Sequence, residues 1–172
     1  MRIFQVDAFT SRLFAGNPAA VVIMDDFLSD TTLQAIAAEN NLAETAFLVF
    51  NNGEYDLRWF TPRVEVPLCG HATLASAAVV MERLEPGRER VVFRTASGLL
   101  PVQRVGSGYL LDFPARTSEP IETPGVLASG LKVVPVEVLM NQFNYMAVLS
   151  SERQLLELDP DWRQSHNWTA LG

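Results

Sequence analysis

Two places in this chain combine residue types that could move a proton or hold an anion: Glu44, and the turn Cys69-Gly70-His71. A glutamate can take a proton from carbon and return it, provided a rigid element holds it at a cleft. The Cys-Gly-His turn opens a run of small apolar residues at helical spacing. Its unpaired backbone N–H groups and positive dipole end could therefore face a carboxylate, with Gly70 allowing close approach to the backbone. A plainer reading of the same residues stands beside this one. Glu44 could be a solvated surface carboxylate, Gly70 a turn former, His71 a helix cap and Cys69 a filler of a core gap. His166 lies in a polar stretch and receives no role.

The elements that must position these residues follow from periodicity. Residues 2 to 9 alternate as a strand, Gly16-Asn17-Pro18 makes a turn, and the apolar run AAVVIM forms the next strand. Ser29 or Asp30 caps a helix with Leu33, Ile36 and Ala37 on one face, and Asn40-Asn41 stops it. Glu44 then stands at the mouth of a strand running from Thr45 to Phe50. Asn52-Gly53 is a strong hairpin signal, so residues 45 to 60 should be a hairpin. A mostly buried helix should start near His71, show Leu74, Ala77, Ala78 and Met81 on one face, and end at Pro86-Gly87. VVFRTA, LLPVQRV and YLLDF form a meander of three strands. PARTSEPIETPG has no period and reads as a linker; beyond it come strands VEVLM and YMAVL, a capping box at Ser151 and Gln154, and a helix opening at Pro160. The expected class is α+β: a largely antiparallel sheet wrapped around one helix in residues 1–113, a linker over 114–125, and the start of a second, incomplete domain over 126–172.

With 48% hydrophobic residues in 172, the chain can bury a core and is not disordered by composition. Thirteen basic against 20 acidic residues give a net charge of -7 with no basic cluster, so nucleic acid is not an expected partner. No charged leader precedes an apolar stretch and no apolar run approaches the ~20 residues of a bilayer span, so a cytoplasmic protein without membrane contact is expected. Cys69 is the only cysteine, which excludes an intrachain disulfide. With only His71 and His166 beside it, soft ligands are too few for a structural zinc site, and no metal is expected.

Four segments, GNPAAVV (16–22), NLAETAFLV (41–49), RWFTPRVEVPLCGHATLASA (58–77) and LDFPA (111–115), are similar in order and spacing to the N-terminal half of the PhzF-like proteins of phenazine biosynthesis. The resemblance implies a fold related to diaminopimelate epimerase: two similar domains, each a curved antiparallel sheet around a central helix, with the substrate in the cleft between them. It implies that Glu44 and His71 are catalytic and that Asn17, Thr45, Cys69, Gly70 and Ala72 line the substrate, a small carboxylate. The implied activity is a cofactor-free proton shift, isomerisation of dihydro-3-hydroxyanthranilate, with Glu44 carrying the proton and His71 accepting developing charge. Two alternatives remain. Cys69 looks like the first thiol of the diaminopimelate epimerases, which implies amino-acid epimerisation with a low-pKa thiolate at the helix terminus, although a second thiol is lacking. The other alternative is a non-catalytic module that binds a small carboxylate. The family's acidic-Pro-x-Thr-Gly-Ser turn is not found here, so this chain is expected to supply half of the active site and to associate with a copy of itself or with a partner segment.

Overall fold

A computed structural model describes residues 1–12 and 14–163. The chain divides into two compact units, one from Met1 to Phe113 and one from Pro114 onward. No helix among the described residues is long and apolar enough to cross a membrane.

In the first unit the elements run β1 (Arg2–Ala8), β2 (Asn17–Met24), α1 (Asp30–Asn40), β3 (Glu44–Asn51), β4 (Glu54–Phe60), β5 (Glu65–Val66), α2 (Gly70–Val79), β6 (Arg90–Thr95), β7 (Gly98–Val105) and β8 (Gly108–Leu111). They form one sheet in the order β1-β2-β3-β4-β6-β7-β8, with β5 paired to β4. Hairpin neighbours are antiparallel, but β2 pairs with β3 and β4 with β6 in parallel. Those two pairs are the ones joined through helices α1 and α2, and a helical crossover returns the chain in the same direction.

Strand alternation sorts the side chains into two layers. Ala19 and Val21 of β2, Ala46 and Leu48 of β3, and Leu57 and Trp59 of β4 pack with Ala72, Ala75 and Val79 of α2. The intervening positions, Val22, Phe47, Val49 and Phe60, pack with Leu33 and Ala37 of α1 on the other face. Helix α2 is buried nearly all round; of the four residues expected on its core face, Leu74 and Ala78 are the half-exposed ones. Small side chains let strands approach from every side, so no single stripe marks the core. Its buried hydroxyls are satisfied locally, Thr73 donating to the Cys69 carbonyl at 2.6 Å and Ser76 to the Ala72 carbonyl at 2.7 Å. The α-helix runs to Val79 and continues as a π turn over Val80–Leu84, stopping just before Pro86-Gly87.

The local signals operate as their chemistry requires. The Ser29 hydroxyl accepts from the Thr32 amide, and Asn41, in the left-handed region at φ 48°, ends α1. Asn52 and Gly53 both have positive φ between β3 and β4. Gly16 has φ +93°, and a Cβ there would stand 2.3 Å from the Ala8 carbonyl oxygen, so the loop entering β2 needs glycine.

The second unit contains β9 (Glu119–Ile121), α3 (Gly125–Leu131), β10 (Glu137–Met140), β11 (Tyr145–Val148) and α4 (Glu152–Leu156), with an antiparallel sheet in the order β11-β10-β9. The stretch 114–125 is thus not bare connection: β9 pairs with β10, Pro120 opposite Leu139. Proline hides a strand from a period-2 reading but is tolerated at a sheet edge. At α4 the Ser151 hydroxyl accepts from the Gln154 amide at 3.2 Å, and Gln154 Oε1 accepts from the Ser150 amide at 2.9 Å. Most of the helix expected after Pro160, and His166, fall outside the described residues.

Candidate functional site

Glu44 is the first residue of β3, opposite Ala19 in the parallel register with β2. It shares a face with Ala46 and Leu48, so its side chain projects toward α2. Helix α2 starts at Gly70 with Cys69 as its N-cap, which delivers His71 into the first turn. Glu44 Oε2 lies 3.2 Å from His71 Nε2, at the edge of the core, with the Glu44 side chain 20% and the His71 side chain 9% exposed. The imidazole N–H is not in line with the carboxylate, and Nε2 is buried without a hydrogen-bond partner. On the ring's other side, Nδ1 lies 3.5 Å from Cys69 Sγ. The sheet edge and the helix start thus bring a carboxylate, an imidazole and a thiol into mutual contact.

Burial pushes the Cys69 thiol up to about 12, against the pull of the Ala72 and His71 amides, and the Glu44 carboxylate adds to the rise. This corrects the expectation of a thiolate favoured by the helix terminus. Desolvation in a packed core and a neighbouring anion outweigh the dipole, and the neutral thiol wins.

The other expected site residues divide. Asn17, the first residue of β2, shares a face with Ala19 and Val21 and so lies on the α2 side with Glu44, half-buried. Gly70 stands at the helix start, but a Cβ there would meet Cε2 of Phe113 at 3.3 Å; its missing side chain accommodates that ring. Ala72 is fully buried in the core, and its amide turns to the Cys69 thiol. Thr45 lies on the opposite face of β3. It follows Glu44 in the strand and therefore faces α1; it is fully buried, and its hydroxyl accepts from Asn40 Nδ2 at 3.1 Å.

Two residues gained no role from sequence reasoning. Phe113 packs against Gly70, and the LDFPA segment that contains it was the available signal. Trp59 faces the α2 side of β4 and is fully buried, with its indole N–H lacking an acceptor; an aromatic in an alternating strand carries no advance sign of that.

The family described as phenazine biosynthesis-like protein matches residues 6–171. An uncharacterized isomerase of Pseudomonas aeruginosa is 49% identical over 162 residues, 94% of this chain and 62% of its own length. A PhzF-family protein of Enterococcus faecalis, solved by crystallography, superposes with a TM-score of 0.84 at 38% identity, covering 94% of this chain and 62% of that one. A predicted epimerase from Pseudomonas aeruginosa shares the fold, with a TM-score of 0.71 at 23% identity over 96% of this chain and 66% of that one. This chain spans about 62% of the length of the curated isomerase it matches.

Proposed function

The chain belongs to the phenazine biosynthesis-like family and has its α+β, diaminopimelate epimerase-like fold, and on that footing we propose that it is a cofactor-independent isomerase shifting a proton on a small carboxylate-bearing substrate in the cytoplasm. The observation that carries this reading is the Glu44 carboxylate held 3.2 Å from His71 at the N-terminus of α2. Glu44 takes a proton from one substrate carbon and returns it to another. His71, at the positive end of α2, faces the negative charge that develops in between, which is where a fixed donor lowers a barrier most. Asn17, on the same face, helps to orient the substrate. The naming of relatives as isomerases supports the reaction class. Under this reading the facing wall of the cleft comes from a further segment or a second copy. Epimerisation by Cys69 is disfavoured, because a thiol pushed up to about 12 is a poor base at neutral pH.

Turnover in D₂O tests the proposal. With dihydro-3-hydroxyanthranilate, the full-length protein should place deuterium on the product carbon. Glu44→Gln should keep the fold and binding but lower turnover by about 10²-fold or more, with no label entering. His71→Ala should weaken binding as well as rate. Exchange at the native rate in Glu44→Gln would remove Glu44 from the role.

A further inference from the structure

Asn40 is the last residue of α1, and its carboxamide reaches across the turn at 41–43 to the strand that begins with Glu44. Nδ2 of Asn40 donates to Oγ1 of Thr45 at 3.1 Å, with Asn40 half-buried and Thr45 fully buried. Thr45 shares its face of β3 with Phe47 and Val49, in the apolar layer that packs on α1. Valine would fill such a strand position without a hydroxyl to satisfy, so the polar pair does more than occupy space.

What the bond fixes is the start of β3. Glu44 is matched with Ala19 of β2 on one side, but on the other side the register with β4 begins only at Thr45, opposite Phe60. A strand residue flanked on one side alone is the first to fray. Successive strand residues point to opposite faces, so holding Thr45 toward α1 aims Glu44 toward α2 and His71. A twist of the strand start that frees Thr45 from Asn40 must also swing the Glu44 carboxylate away from the imidazole 3.2 Å from it.

We propose that Asn40 is a positioning residue for Glu44, acting through the Thr45 hydroxyl from the far face of the sheet. The positioning stands on this geometry; its consequence for turnover rests on the proposed function.

Variants of the full-length protein test both parts. Asn40→Ala and Thr45→Val each remove the bond, from opposite ends, and Thr45→Ser keeps the hydroxyl. In proton–nitrogen spectra of the histidine rings, with His71 assigned by His71→Gln, the first two variants should move the His71 signals toward their positions in Glu44→Gln. In turnover, both should lower kcat by about tenfold with KM unchanged, the pattern of a misplaced reacting group that leaves binding intact. The double variant should be no worse than either single one, because both act through one bond, and Thr45→Ser should fall well short of the Thr45→Val loss. Ser29→Ala, which removes the cap at the other end of α1, supplies the control: it should lower stability and leave kcat and the His71 signals in place. Unmoved His71 signals in Asn40→Ala, or a Ser29→Ala defect equal to that of Asn40→Ala, would overturn the positioning role. Moved signals with native kcat would uphold the positioning and count against Glu44 as the carrier of the proton.

Discussion

At the scale of single residues, the pairing of Glu44 with His71 depends on a strand and a helix each beginning at the right residue. Cys69 caps the helix and touches both partners, yet its own chemistry is suppressed. Its thiol is buried and pushed up to about 12, so almost none is ionised at neutral pH. Iodoacetamide should therefore alkylate the native chain at least about tenfold more slowly than the urea-unfolded chain, measured by mass over time. Equal rates would mean that the thiol is exposed or ionised. For the same reason Cys69→Ala should leave isomerisation largely intact, and total loss of turnover would restore the thiol mechanism. The neighbourhood of Glu44 and the Cys-Gly-His turn was legible because both sit in a distinctive sequence pattern. The side-chain directions of Thr45 and Ala72 come from the elements that carry them and not from their nearness in sequence to Glu44 and His71. Alternation already puts Thr45 on the opposite face, and Ala72 lies within a helix buried on almost every side.

At the scale of elements, short-range chemistry told most and pairing direction told least. Ser29, Asn41 and Asn52-Gly53 announce their caps and turns, because each satisfies or bends the backbone locally. The parallel pairs and the strand through Pro120 depend on partners far away in sequence, and no local pattern encodes them. Gly16 gives a local test: Gly16→Ala must force a side chain against the Ala8 carbonyl at positive φ, and should cost about 1–3 kcal/mol in urea unfolding. No loss of stability would show that the β1–β2 loop adapts freely. A second test concerns the β4–β6 pair, where Asp56 accepts from Arg94 Nε at 2.6 Å and from Asn51 Nδ2 at 2.9 Å. Burial raises the Asp56 carboxyl, but these two donors outweigh it and hold the group below the usual carboxylate range. Its stabilising effect is therefore present above the unfolded value near pH ~3.9 and fades as pH falls through the lower folded value. Asp56→Asn should cost up to about 1 kcal/mol at neutral pH, and the gap from the native chain should shrink below about pH 4. A gap that is the same at both pH values would show that the ionised carboxylate contributes nothing.

At the scale of the whole molecule, the two units differ in how much apolar surface each buries for itself. The first closes a sheet over α2 on one side and packs α1 on the other, with Trp59, Phe47, Phe93, Leu33, Leu48 and Leu57 all fully buried. That is a core of the size at which a domain folds alone. Among the described residues of the second unit, the buried hydrophobic side chains are Leu127 and Val138, while Val134, Val136, Met146, Leu155 and Leu156 are exposed. A three-stranded sheet with so small a covered interior gains too little from burial to offset the ordering of its backbone. Residues 1–113 made as a separate chain should therefore give a dispersed amide spectrum and a cooperative urea transition. Residues 114–172 made alone should give a collapsed spectrum and bind a hydrophobic dye. In hydrogen exchange of the full chain, the slowest amides should lie in β2, β3, β4 and α2, since their backbone bonds are enclosed by the two apolar layers and open only when the unit unfolds as a whole. Amides of β9 to β11 should exchange through smaller openings, faster by the difference in stability between the units. Equal protection across both units would refute this ranking, because it would require the second unit to draw on stabilisation that its own buried side chains do not supply.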